Sequence, residues 1–171
     1  MCITGNNLLP GTECGDSSYY FSIYNHCWGW ATWDRAWRLY DARLDGLGEF
    51  LAARAFNGCA QVPAVAARWE ERFRTMRDGR LDNWSIAWTF SCWANNGLTC
   101  TPRTNLVSNI GFGPDATHTW DETSACANLP VSGLDFPLRH PHIVAPNAVL
   151  DLLVSSRHYA IPIAQTLAPD A

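Results

Sequence analysis

Acid–base work on a hydroxyl needs a carboxylate or a histidine within reach of it, and the sequence offers few placements for one. Asp82 heads a stretch with helical spacing, "DNWSIAWTFSCW", where a helix dipole would hold it ionised. That suits a general base and equally suits a plain N-cap. A glycine-bearing turn, "GFGPDATHT", covers residues 111–119. Its backbone N–H groups at Gly111, Phe112 and Gly113, with Thr117 and His118 close behind, could meet a phosphate. A simple tight turn is the alternative. The same turn formally matches a dinucleotide fingerprint, but "THTWDET" carries no apolar helical period and Pro114 intrudes, so that reading is rejected. Asp121 and Glu122 are adjacent and would diverge in a loop. No two acidic residues anywhere in the chain are separated by a single residue.

A second kind of chemistry is offered by "HCWGWATWDRAW", residues 26–37, which holds four of the nine tryptophans. Trp28 and Trp30 flank Gly29, where a missing side chain allows close backbone approach. A flat ring with an N–H at its edge suits the apolar face and hydroxyls of a sugar. His26, Trp28, Gly29 and Trp30 are therefore candidate carbohydrate contacts. Trp33 and Trp37 fall on one helical face and are expected in the core.

The elements that must position these residues follow from periodicity. "GNNLLPGTECGDSS" reads as loop and "YYFSIY" as strand. Thr32 is expected to cap a helix from Trp33, since Trp33, Trp37, Tyr40 and Leu44 recur at helical spacing. A second helix is expected just past Pro63, through "AVAARWEERFRTM", ending near Gly79. A third is expected after an Asp82 cap, with Trp84, Trp88 and Cys92 on one face and Gly97 as its stop. "LTCT" and "NLVSNI" read as two short strands, and "NAVLDLLVSS" as a final helix. The expected class is α/β, with few strands, three to four helices and one imperfectly covered face. The main unit should run over 1–137, followed by a Pro-rich tail with a short helix over 138–171.

Composition narrows the function classes. A chain of 171 residues fits one domain, and 47% hydrophobic against 16% charged residues supports a real core. A net charge of −4 with scattered arginines argues against nucleic-acid binding. There is no apolar stretch of spanning length and no basic or apolar leader, so a cytoplasmic protein is expected. The seven cysteines are odd in number and irregularly spaced, which reads as reduced thiols rather than a disulfide framework.

Several long stretches together resemble one family. "SYYFSIYNHCWGWATWDRAWRLYD", "WTFSCWANNGLT" and "PRTNLVSNIGFGPDATHT", with "ITGNN" ahead of them, are similar to the hemolytic-protein-like (HlpA-like) bacterial glycosyltransferases. The resemblance runs from about Cys2 to Pro137. A more distant likeness is to the N-acetylglucosaminyltransferases of complex N-glycan synthesis. It implies a GT-A fold, of which this chain is the acceptor-side, C-terminal half, because Met1 stands almost on the "GNN" segment and the nucleotide-binding half lies upstream in the family. The implied partners are a nucleotide-sugar donor and a glycan or other hydroxyl acceptor. A divalent metal, Mn or Mg, is implied too, although the acidic metal motif is missing and only His118 is left to touch it. Asp82 is the implied base. Asn6, Asn7, Gly111, Phe112, Gly113, Thr117 and His118 would serve the donor diphosphate. The family pattern carries Trp-Asp in the helix where this chain has "LDNWSIAW", so Ser85 stands where an acid is expected. The expected function is sugar transfer by a fragment lacking much of its donor site, with a non-catalytic carbohydrate-binding or structural fragment as the alternative. The uncovered face is expected to permit self-association.

Overall fold

Eight consecutive buried residues, Ile86 to Trp93, set the architecture, because a helix apolar on every side must be packed on every side. In the computed structural model, which describes residues 1–12, 14–60, 62–116, 119, 121 and 123–163, they form the centre of a helix over Trp84–Ala94. The elements in chain order are β1 (Cys2–Thr4), β2 (Tyr19–Ser22), β3 (Trp30–Thr32), α1 (Asp34–Trp37), α2 (Leu47–Ala52), α3 (Phe56–Cys59), α4 (Pro63–Arg77), α5 (Trp84–Ala94), β4 (Thr99–Pro102) and α6 (Ala148–Arg157). The four strands form one mixed sheet in the order β2-β4-β1-β3. β1 is parallel to β4 and antiparallel to β3, with Ile3 opposite Cys100 on one side and Ala31 on the other. β2 runs antiparallel to β4. The chain is thus a mixed α/β structure, as expected.

Aromatic rings carry the packing between α4 and α5. α4 starts with Pro63 at a position whose N–H has no helical partner, and it buries Val65, Trp69 and Phe73 at four-residue spacing. That stripe packs on α5, where Phe73 meets Phe90 and Trp93 at ring separations of 5.5 and 5.8 Å. Trp69 meets Trp93 at 5.1 Å. The Trp93 Nε1 donates to the Ile23 carbonyl at 2.7 Å, so the indole is buried without an orphaned donor.

Several local expectations are corrected. The cap of α5 is Asn83, not Asp82: Asn83 Oδ1 accepts from the Ser85 N–H at 3.0 Å. A cap must sit immediately before the first helical residue to reach the second or third N–H, and Asp82 is one place too early. The helix expected from Trp33 is a single turn, α1, with Trp33 at its cap. The Thr32 hydroxyl does not cap it, because it donates to the Met1 carbonyl at 2.7 Å across the sheet. A single surface turn cannot bury both indoles, so Trp33 and Trp37 remain 40% and 41% exposed. β1 lies just ahead of the stretch expected as loop and β3 ahead of the expected helix; neither is expected from the sequence, because three residues are too few to show an alternation. Six helices form among the described residues against the expected three to four, the surplus being the short α2 and α3, which carry too few residues to show a helical period.

The segment beyond residue 137 packs on the same core. Asn147 caps α6 by accepting from the Leu150 N–H at 3.1 Å. From α6, Asp151 Oδ1 accepts from the Ser22 hydroxyl at 2.5 Å and Oδ2 accepts from the Ile23 N–H at 3.2 Å. Tyr24 and Ser155 share a hydroxyl hydrogen bond of 2.6 Å. No helix among the described residues is long and apolar enough to cross a membrane.

Burial raises the Asp151 carboxyl to about 7, against the opposing hydrogen bonds from Ser22 and Ile23. The folded chain therefore holds a proton that the unfolded chain releases near pH 4, so the Asp151 contribution is full at low pH and is lost as pH rises through about 7. Buried His26 and His158 act in the opposite sense, since burial lowers both. The Asp151 part is isolated as the difference between wild type and Asp151→Asn in urea denaturation. That difference should shift against the wild type by on the order of 3 kcal/mol between about pH 4 and pH 8.

Candidate functional site

Three asparagines tie the candidate segments together. Asn6, Asn7 and Asn105 are all buried, which amides tolerate only when their polar atoms are paired. Asn105 Oδ1 accepts from the Asn7 N–H at 3.0 Å and from Asn6 Nδ2 at 3.2 Å. Its Nδ2 donates to the carbonyls of Val107 and Pro130 at 2.8 and 3.0 Å. Asn7 Nδ2 donates to the carbonyls of Pro102 and Arg103, both at 2.9 Å, and its Oδ1 accepts from the Leu9 N–H at 2.8 Å. The Leu106 N–H donates to the Gly5 carbonyl at 2.8 Å. The strand expected over "NLVSNI" does not form, because this segment finds its partners in amide side chains and loop carbonyls instead of a ladder.

Gly29 fixes the next part. Its φ is +58°, and a Cβ there would stand 2.6 Å from Val107 Cγ1. Its carbonyl accepts from the Gly5 N–H at 2.7 Å. The turn between Trp28 and Trp30 is thereby pressed against the asparagine-held loop. The two indoles it separates go different ways. Trp28 lines a cleft and meets Phe112 edge to face at 5.7 Å. Trp30 does not line the cleft; it stacks on Trp84 at 5.2 Å in a cluster with Trp37 and Trp88.

The cleft, of about 310 Å³, gathers Asn6, His26 and Trp28 from the first segments, Asn83 to Ile86 from the start of α5, Trp69 and Arg72 from α4, Thr119 from the glycine turn, and His158 and Tyr159 after α6. The indole of Trp84, 43% exposed, forms part of its wall while stacking on Trp30. Ser85 lines it too, with its hydroxyl donating to Asn83 Oδ1 at 2.7 Å. No Asp or Glu lines it among the described residues. Burial, helped by neighbouring His158, pushes His26 down to about 3, and burial with the Arg72 charge pushes His158 down to about 4. Both imidazoles are uncharged at neutral pH.

The expected site residues therefore divide. Asn6, His26 and Trp28 share the cleft. Asn7 is consumed by the loop it holds, and Gly29 and Trp30 stand behind the ledge. Asp82 is exposed and lines a separate shallow concavity with Arg43, Asp45, Met76 and Arg77. The glycine turn meets the cleft through Phe112 and Thr119, but its N–H groups are partly spent: Gly111 donates to Asn109 Oδ1 at 2.9 Å and Gly113 to the Thr119 carbonyl at 3.0 Å. Thr117 and His118 lie outside the described residues. No group of three or more His, Cys, Asp or Glu among the described residues is placed to hold a metal ion, so no donor set for the expected Mn or Mg is found there. Arg72, His158 and Tyr159 join the cleft although they are not among the residues expected there. A signal for Arg72 existed: it lies three residues after Trp69 and one before Phe73, on the buried stripe of α4 instead of its Glu-bearing face.

No family model, no curated protein and no solved structure matches the chain.

Removing the amide hub in Asn105→Ala orphans several buried groups at about 1–3 kcal/mol each. The transition in a thermal melt should fall by well over 5 °C, at roughly 2–4 °C per kcal/mol for a chain of this size. Gly29→Ala forces a side chain into positive φ and against Val107, which should cost roughly 1–3 kcal/mol in the same melt and change the near-ultraviolet circular dichroism of the tryptophans.

Proposed function

We propose that this chain binds a carbohydrate in the cleft between Trp28 and Trp84, as the acceptor-side half of a glycosyltransferase-like fold. The observation that carries the reading is the convergence of Asn6, His26, Trp28, Asn83 to Ile86 and Thr119 on one opening. Of these, Asn6, His26, Trp28 and Thr119 come from the stretches on which the family resemblance rests, and they lie up to about a hundred positions apart in the chain. The chemistry of the lining suits a sugar: indole faces for the apolar side of a ring, and amide, hydroxyl and imidazole groups for its hydroxyls.

Binding is favoured over transfer by this cleft alone. A general base works best with a pKa near the operating pH, and the lining offers two histidines held far below it and no carboxylate among the described residues. Ser85 stands in the wall where the family pattern has an acid, so the departure removes a carboxylate from the cleft itself. Asp82, the other candidate base, belongs to the neighbouring concavity. The transfer reading keeps one supporting contact: the glycine turn reaches the ledge through the Trp28–Phe112 pair, where a donor's diphosphate would have to approach. In that reading the nucleotide-sugar donor and a divalent metal are supplied with the donor-side half of the fold.

Titration of the chain with glucose, galactose and N-acetylglucosamine, followed by indole fluorescence and by ligand-observed NMR, tests the reading. At least one sugar should bind, and Trp28→Ala should weaken it about 5- to 30-fold, the loss of one stacked ring. Asp82→Asn should leave that affinity within about twofold, because an exposed carboxylate outside the cleft gives up little on neutralisation. Unchanged binding in Trp28→Ala would sink the ledge. Turnover of a nucleotide sugar that disappears in Asp82→Asn would return the base to Asp82.

A further inference from the structure

Arg72 lines the cleft and is placed unlike its neighbours on α4. Arg68 and Arg74 are half-exposed and pair with Glu71 and Glu70 at 3.0 and 2.7 Å. Arg72 forms no ion pair with any described carboxylate. Its guanidinium lies over the rings of Trp69 and Tyr159, 5.4 and 5.7 Å from their centroids, and its Nε is shut off from solvent with no acceptor. Aromatic faces return part of the cost of holding a cation away from water, but the Nε–H still lacks an acceptor.

A second set of atoms points the same way. His26 is 5% exposed and Asn25 7% exposed, and both line the cleft. His26 Nε2 and Asn25 Nδ2 have no hydrogen-bond partner, while Asn25 Oδ1 is occupied by the Thr89 hydroxyl at 2.6 Å. Buried polar atoms are nearly always paired, and with Trp69 Nε1 four unpartnered nitrogens belong to residues that line this one opening. With both histidines uncharged and no described carboxylate in the lining, the guanidinium supplies the cleft's formal charge, in a chain whose net charge is −4. A local positive site with low-dielectric walls concentrates anions that the rest of the surface repels.

We propose that the cleft selects an anionic sugar, whose carboxylate or phosphate oxygens accept from Arg72, with His26 and Asn25 completing the set and the ring lying on the indole ledge. This rests on the carbohydrate reading above and narrows its ligand to acidic sugars. The balance of charge favours it: a neutral sugar would leave the half-buried guanidinium uncompensated, whereas an oxyanion meets a planar fork of donors that a carboxylate or phosphate matches in shape.

Calorimetric titration of the full chain with glucose, glucuronate, glucose 6-phosphate, acetate and inorganic phosphate tests this at low salt. At least one acidic sugar should bind about tenfold or more tightly than glucose, and the preference should shrink as salt is added. The better of glucuronate and glucose 6-phosphate identifies the anion. Arg72→Gln should reduce that ligand to within about threefold of glucose measured on the same variant, and Arg72→Lys should fall between, keeping the charge without the fork. Circular dichroism of each variant checks the fold, and the wild-type comparison stands without them. Glucose binding as tightly as both acids overturns the anion site and leaves the carbohydrate reading intact. Arg72-dependent binding of acetate or phosphate with no sugar bound keeps the anion site and removes the carbohydrate. No binding of any of the five sinks both.

Discussion

The structure depends on one buried polar constraint: the Asn105 side chain must satisfy four partners at once. It accepts from Asn6 and Asn7 and donates to Val107 and Pro130, joining segments about a hundred residues apart without a strand between them. A buried amide left unpaired is expensive, so the loops that carry Asn6, Gly29 and Val107 have a single arrangement with all partners made. Loops held this way can be as well defined as a sheet edge while staying open on one side. That is the property a binding cleft needs, since ladder hydrogen bonds would close the same groove. The ledge inherits its position from this hub through two contacts, the Gly5–Gly29 hydrogen bond and the Val107 side chain against Gly29.

Much of this was legible in the sequence, and the rest was hidden for identifiable reasons. α4 and α6 were readable because Pro63, Gly79 and Asn147 mark ends of stretches whose apolar spacing is unambiguous. The class, mixed α/β, followed from them and from the strand at "YYFS". β1 and β3 were not visible, because three-residue strands carry no period and are defined only by their partners. The run after Trp33 shows the opposite failure, where helical spacing was present but the Thr32 hydroxyl and the sheet claimed the residues first. At the site, Trp28 and His26 could be singled out by residue type. Asn7 could not be told from Asn6, since both are amides in one loop and only the fold decides which of them also reaches the cleft. His158 carries no local signal at all and reaches the cleft by tertiary packing.

The one-residue difference between Asp82 and Asn83 has a large consequence. The N-cap residue turns its side chain back over the first turn of its helix, and here that turn forms the cleft wall, so Asn83 lines the cleft. The residue before the cap leaves the helix axis, and Asp82 accordingly falls into the shallow concavity beside Arg43 and Arg77. Ser85, two places into α5, occupies the wall in its place and hydrogen-bonds back to the cap. A hydroxyl satisfied by the cap is a modest donor or acceptor for a sugar and cannot take a proton from one at neutral pH.

Electrostatics then decide what such a wall can hold. Neutral histidines add no like charge beside Arg72, and no described residue of the lining supplies a counter-charge. Two arrangements could have relieved it: a carboxylate on α4, as for Arg74 with Glu70, or full exposure to water. The sequence takes neither. Phe73 follows Arg72 directly and must face the core, which turns the guanidinium inward over Trp69 and Tyr159. Moving Arg72 to the solvent face would rotate α4 by about 100° per residue and pull Trp69 and Phe73 out of their contacts with Trp93. The cation at the cleft is therefore bound to the same aromatic packing that makes the core. Among the described residues no carboxylate compensates it, and the oxyanion proposed above could do so without disturbing that packing.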